Sequence, residues 1–223
     1  MNDFTSTRTR PVKHIAESTV RRLSLYLRFL EEFDAQRHAT ISSGELAESG
    51  GTTSAQVRKD LSCFGSFGKR GLGYTVKDLI VAIREILGLD RSWSVVIIGA
   101  GKIGAALAQY RGFTSRGFAV AGVYDSDPAR IGQRLDGLTV RPDAELENDI
   151  ARLKPLIAVL CVPSEAAQPL LDRVAKAGIR AVLNFAPTPL QVPKGVTLRG
   201  VNMAAELEIL TFALTNEAAD NER

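Results

Sequence analysis

The sequence predicts an α/β chain in two parts, a helical N-terminal third followed by a mostly parallel sheet, with one more apolar helix at the end. Three observations predict it. The β-branched run Val95 to Ile98 stops at Gly99, Gly101 and Gly104 and leads into a helix-compatible segment. Beyond it, short apolar runs alternate with helical ones as far as Val201. Before it, residues 11–89 show helical periodicity broken by polar and glycine-rich turns.

The totals set limits on function. The 223 residues are 45% hydrophobic and 24% charged, which suits one large or two small globular domains. A net charge of only +3 excludes a histone-like polycation, so any contact with nucleic acid must come from a local patch. Cys63 and Cys161 lie far apart without CxxC spacing, against a zinc centre or a disulfide framework and for a reducing cytoplasm. The first ten residues lack a secretory apolar region, and no run approaches the ~18 apolar residues of a membrane span. Neither secretion nor a membrane is expected.

Residues 1 to about 10 read as a loose arm. Pro11 suits the first turn of a long amphipathic helix that carries Ile15, Val20, Leu23, Leu27, Leu30 and Phe33 at three- and four-residue steps. Ser42 with Glu45 forms a capping box for a short helix through Leu46 and Ala47, which Gly50-Gly51 ends. Thr52, Thr53 and Ser54 offer caps for the next helix, Ala55 to Phe64. This is helix-turn-helix organisation.

That last helix places Gln56, Arg58, Lys59 and Ser62 among its polar positions, with Val57 and Leu61 inward. Glycine then alternates with basic and aromatic residues from Gly65 to Tyr74, which suits a tight hairpin with Lys69, Arg70 and Gly71 at its tip: the wing of a winged helix. From Gln56 to Lys77, five cations meet a single acid, Asp60. A basic patch of this kind fits double-stranded DNA, although a helical dimerisation module with a solvated charged face shows the same helices. Val76 to Leu89 is helical again and closes the first domain, residues 1–90.

Residues 91–202 read as a Rossmann-like domain. Gly99 permits a tight turn, Gly101 lets backbone approach a pyrophosphate, and Gly104 lets helix pack on strand; Ala100, Lys102 and Ile103 complete the loop and the helix start. The second strand, Phe118 to Tyr124, closes at Asp125, about 20 positions past the last glycine, where a carboxylate accepts from both ribose hydroxyls of an adenosine. A 2′-phosphate would be repelled there, which favours NAD(H) over NADP(H), with Arg130 nearby as the counter-argument. FAD, an adenylated ligand or a nucleotide-free turn remain alternatives.

Strands are expected at Leu138 to Arg141, Leu156 to Val162, Ile179 to Asn184 and Val196 to Val201, with helices from Asp143 to Leu153 and from Pro163 to Gly178. Val162-Pro163 and Asn184-Phe185 fall at carboxyl ends of strands, where a nicotinamide would lie. Residues 203–223 form a terminal helix and tail. Leu207, Ile209, Leu210, Phe212 and Leu214 make its helix apolar on much of its surface, which points to a subunit interface.

Four stretches together resemble the bacterial redox-sensing repressor family Rex: Arg21 to Leu30, Gln56 to Ser62, the wing Phe64 to Tyr74, and Leu183 to Pro187. The resemblance runs nearly end to end. It implies a homodimer that binds an operator when NADH is scarce and releases it when NADH binds, with NAD⁺ as competing ligand and the C-terminal helix exchanged between subunits. It also implies that Arg58, Lys59 and Ser62 enter the major groove and Lys69 and Arg70 the minor groove. Family members switch through an arginine, a tyrosine and an aspartate, matched here by Arg28, Tyr110 and, in place of the aspartate, Asn202, an uncharged amide that would weaken the alternation. Met203 follows it where an aromatic is common.

The competing expectation is an NAD-dependent oxidoreductase with an accessory helical domain. Such chemistry needs a general acid or base, most often histidine. His14 and His38 both precede the helix-turn-helix and the glycine half has none, so no enzyme is expected. A third reading is a DNA-binding dimer whose nucleotide never leaves. Cys63, beside the polar helix, could serve as a thiol switch, but no cationic residue adjoins it in sequence to favour a thiolate.

Overall fold

A computed structural model describes residues 15–68 and 72–221, with the side chains of 217–221 left aside. The loose arm, Pro11, His14 and the wing tip Lys69, Arg70 and Gly71 therefore lie outside the described residues. The chain divides into two units between Arg91 and Ser92.

In the first unit, α1 (Glu17–Ala35) is followed by β1 (Thr40–Ile41), α2 (Ser43–Ser49), α3 (Ser54–Ser62), β2 (Tyr74–Thr75) and α4 (Val76–Ile86). The periodic leucines of α1 bury Leu23, Leu27 and Leu30 against Leu46, Val57, Leu61, Leu79 and Ile83. The capping box is present in full: the Ser42 hydroxyl accepts from the Glu45 N–H, and the Glu45 carboxylate accepts from the Ser42 N–H. Thr53 caps α3 through the Gln56 N–H. The tip of the expected hairpin lies outside the described residues. Residues 65–68 are irregular, and the returning strand β2 pairs antiparallel with β1, ahead of the helix pair, Thr40 opposite Thr75 and Ile41 opposite Tyr74. Gly68 and Gly73, both at positive φ, approach backbone so closely that a Cβ would lie 2.3 Å from the Gly73 carbonyl oxygen and 2.4 Å from that of Ile41. α4 also ends earlier than expected, at Ile86, because Gly88 turns to φ 69°.

The second unit is a seven-stranded sheet. Its elements are β3 (Trp93–Ile98), α5 (Lys102–Ala108), α6 (Arg111–Ser115), β4 (Phe118–Asp125), β5 (Arg134–Leu135), β6 (Leu138–Pro142), a 3₁₀ turn at Asp143–Glu145, α7 (Leu146–Leu153), β7 (Ile157–Leu160), α8 (Ser164–Ala177), β8 (Ala181–Asn184), β9 (Thr197–Gly200) and α9 (Met203–Asn221). The order is β5-β6-β4-β3-β7-β8-β9, parallel except for the short β5-β6 hairpin. β3 is buried on both faces: Val96 and Ile98 pack with residues of α7 and α8, Val95 and Ile97 with Ala108, Val123, Val140 and Val159. The chain leaves β3 first toward β4 and β6, then returns past it to β7, so the order reverses at the carboxyl end of β3. Ligands bind at such a crevice in open parallel sheets.

The last helix stands apart from that core. Leu207, Ile209, Leu210, Phe212 and Leu214 are each more than half exposed, so these large apolar side chains of α9 are not buried against their own unit.

Candidate functional site

Each fingerprint glycine is required for a different reason. Gly99 sits at φ 96°, and a Cβ there would lie 2.3 Å from the Cys161 carbonyl oxygen. A Cβ on Gly104 would fall 1.8 Å from the carbonyl oxygen of Gly99, so only glycine lets α5 lie this close to the turn. At Gly101 the nearest atom to a Cβ is Nη1 of Arg130 at 3.7 Å, an ordinary contact with the far end of a flexible side chain. Two glycines therefore serve the protein's own packing and the third leaves room for something else, as a pyrophosphate cradle needs. The first turn of α5 carries Lys102 and Ile103, both exposed.

Asp125 lies under this turn. One carboxylate oxygen accepts from the Ala100 N–H at 2.6 Å and from Nη1 of Arg130 at 3.2 Å; the other accepts from the Asp127 N–H at 2.8 Å. The side chain is 6% exposed. Burial alone would raise its pKa, but the Asp127 and Ala100 N–H groups and the Arg130 guanidinium outweigh it and hold the carboxyl below its usual value. These three protein donors occupy part of the Asp125 acceptor capacity that a ribose diol would use. Its hold on Ala100, which shapes the glycine turn, was not foreseen. Arg130, ion-paired with both Asp125 and Asp127, stands at the mouth.

Gly99, Asp125, Arg130, Cys161, Val162 and Pro163 line a cleft of about 190 Å³ at the order reversal. Burial pushes the Cys161 thiol up to about 12, so it stays neutral at physiological pH. Asn184 and Phe185 do not reach this cleft. Asn184 is 3% exposed and turns its amide onto its own chain, donating to the Ala186 carbonyl and accepting from the Ala186 N–H, both at 3.0 Å. It borders a separate cavity of about 320 Å³ with Pro187, Thr188, Val201 and Asn202. Phe185 packs against the Val95 and Ile97 face of the sheet. A strand's end was legible in the sequence; the direction of each side chain was not.

The residues expected to switch are placed as follows. Arg28 is exposed on α1 and pairs with Glu32 at 3.5 Å. Tyr110 precedes α6, exposed, its ring edge-to-face with Phe113 at 5.3 Å. Asn202 is the N-cap of α9: its side-chain oxygen accepts from the N–H groups of Ala204 at 3.1 Å and Ala205 at 3.2 Å. Met203 is exposed beside it. Among the described residues no His, Cys, Asp and Glu cluster fits a metal ion, and no helix is long and apolar enough to cross a membrane.

On the first unit, α3 exposes Arg58, Lys59, Ser62 and Cys63 on one side and buries Val57, Asp60 and Leu61 on the other. Nη1 of Arg58 donates to the Ser43 hydroxyl at 2.8 Å, tying the two short helices, and the Ser62 hydroxyl donates to the Lys59 carbonyl. Gln56 is half-buried and donates to Asp60 at 2.8 Å. Asp60, which in the sequence offsets the basic patch, is neutralised inside the fold by Arg22. The outward charge of α3 is therefore purely basic.

Two family models match, one for a putative DNA-binding protein N-terminus over residues 14–62 and one for a CoA binding domain over residues 90–188. The chain is 48% identical to the redox-sensing transcriptional repressor Rex of Pelotomaculum thermopropionicum, over 91% of this chain and 95% of that one. A crystal structure of RSP with β-NAD⁺ and operator DNA superposes with a TM-score of 0.88 at 38% identity, covering 94% of this chain and 97% of the other. A crystal structure of RSP with β-NADH gives 0.86 at 37% identity, covering 94% and 99%.

Proposed function

This chain belongs to the Rex family of redox-sensing transcriptional repressors, and from that membership we infer that it binds operator DNA while NADH is scarce and releases it when NADH binds. The observation that carries the reading is the pairing, in one chain, of a purely basic α3 face with a glycine turn whose Gly101 is open where Gly99 and Gly104 are closed. Gly99 to Gly104 would hold the pyrophosphate, and Asp125, through Ala100 and its remaining acceptor capacity, the turn and a ribose hydroxyl. Val162 and Pro163 would border the nicotinamide half. The reduced nicotinamide supplies a hydride donor that the chain reads rather than uses; both histidines, the commonest general acid or base of such chemistry, precede this unit. NAD⁺ competes for the same cleft.

Arg58, Lys59 and Ser62 would address the major groove; Lys69, Arg70 and Gly71, outside the described residues, would address the minor groove. The exposed apolar side chains of α9 suit a second copy of the chain, giving a homodimer that exchanges this helix, in the cytoplasm. Arg28, Tyr110 and Asn202 are proposed as the coupling residues, with Asn202 fixing the start of α9. A titration of the protein on a pool of promoter fragments, at fixed salt, tests the reading: NADH but not NAD⁺ should release the DNA, and binding indifferent to both would refute sensing.

A further inference from the structure

Asp60 is 1% exposed although the residue before it, Lys59, faces solvent. Its oxygens accept from Nε and Nη2 of Arg22 at 2.6 and 2.8 Å, from the Tyr26 hydroxyl at 3.1 Å, from the Thr19 hydroxyl at 3.4 Å and from Nε2 of Gln56 at 2.8 Å. All these partners but Gln56 lie on α1. Burial would raise the carboxyl's pKa, but Arg22, Gln56 and Tyr26 together hold it below the usual value. An ionised carboxylate accepts hydrogen bonds and donates none. The end of the Gln56 amide that faces it must therefore be the NH₂.

That constraint reaches the outer face of the helix. Gln56 is in the first turn of α3, whose first residue is Ser54, and the first residues of a helix lying in the major groove are those that touch base edges. With one N–H tied back to Asp60, the amide keeps its Oε1 acceptor and its second N–H. Adenine presents the matching pair, the N6 amine and the N7 acceptor, whereas guanine and thymine set a carbonyl oxygen against Oε1.

We propose that Gln56 is a base-specificity residue reading adenine in the operator, and that Asp60 is the buried positioning residue that fixes its amide for that task. The proposal rests on the assignment of α3 as the DNA-contacting helix. It gives a buried charge cluster inside the fold a consequence at a single base pair, which a purely stabilising ion pair would not have.

The test is selection by the full-length protein from an operator library randomised at each position. Wild type should prefer adenine at the position Gln56 reads. Gln56→Ala should lose about tenfold of that preference and leave other positions unchanged. Asp60→Asn, whose amide offers a donor as well as an acceptor, should lose the same preference at the same position while NADH titrations match wild type. Should Asp60→Asn fail to fold, Gln56→Glu replaces it: size and acceptor are kept, but no NH₂ remains to face Asp60, and the adenine preference should again fall. Retention of the preference in Gln56→Ala or Gln56→Glu, or an equal weakening of all sequences by a folded Asp60→Asn, overturns the proposal. Wild type that binds no operator overturns the DNA-binding reading itself, and this proposal with it.

Discussion

Alanine at Gly101 and at Gly104 should fail in opposite ways. Both changes add one methyl group to the same loop. Gly101 has φ −66° and ψ −171°, open to any L residue, and its new Cβ would meet nothing nearer than Nη1 of Arg130 at 3.7 Å. Gly101→Ala should therefore leave stability within about 0.5 kcal/mol of wild type, or raise it slightly through the unfolded state. If a phosphate passes over this backbone, however, the methyl stands in its place, and NADH affinity should fall at least about tenfold, or ~1.4 kcal/mol. At Gly104, helix propensity alone would favour alanine by about 1 kcal/mol. The Cβ would nonetheless lie 1.8 Å from the Gly99 carbonyl oxygen, and backbone cannot rotate away as a side chain can. The clash wins, and overpacking of this kind destabilises by about 1–3 kcal/mol or more. Urea unfolding gives the stabilities and fluorescence titration the NADH affinities. A Gly101→Ala protein that binds NADH as wild type does would refute the pyrophosphate assignment, and an undiminished stability in Gly104→Ala would refute the packing argument.

Other expectations follow from individual contacts. Asp149 is 6% exposed and holds Arg141, Arg152 at 2.5 Å and the Tyr124 hydroxyl at 2.9 Å, so Asp149→Ala should destabilise by about 3 kcal/mol; equality with wild type in urea unfolding would show the cluster to be dispensable. Asn202→Ala should lose about 1 kcal/mol of helix stability at the start of α9, whereas Asn202→Asp should keep the cap and add about 0.3–1 kcal/mol of favourable charge at the helix start; circular dichroism melts that rank the two variants the other way would contradict the capping role. Asp60, Asp125 and Asp149 are all held below the usual 3.8 because their hydrogen-bond donors outweigh burial. Their contribution to stability is complete above an unfolded-state pKa of about 4 and is lost as pH falls through the lower folded values; urea midpoints that do not drop between pH 5 and pH 3 would argue against it. Cys63 is exposed at the end of α3, and Cys63→Ser should leave release by NADH unchanged in a DNA-binding titration.

The sequence makes legible what depends on spacing. The three glycines, the β-branched strands, the Ser42-Glu45 box and the apolar terminal helix each announce themselves through local rules of turn, period and cap, and each is found at those residues. What it hides is direction. Asp60 reads as a surface acid within a basic stretch, and only the packing of α1 on α3 turns it inward onto Arg22. Asn184 reads as a strand end, and the bonds of its amide to Ala186 leave no mark in the spacing. Asn202 reads as an altered switch residue, and its local hydrogen bonds make it a helix cap as well. Side chains whose partners lie more than 30 residues away, as Arg22 and Tyr26 do for Asp60, leave no periodic trace.

Sensing requires that operator and nucleotide each change the other's affinity by the same factor, because linkage is reciprocal. The most direct measurement is therefore NADH affinity with and without saturating operator DNA, set beside operator affinity with and without saturating NADH. The account predicts that both affinities fall, by equal factors. NADH binding that is indifferent to operator would make the nucleotide a fixed structural part and contradict the account.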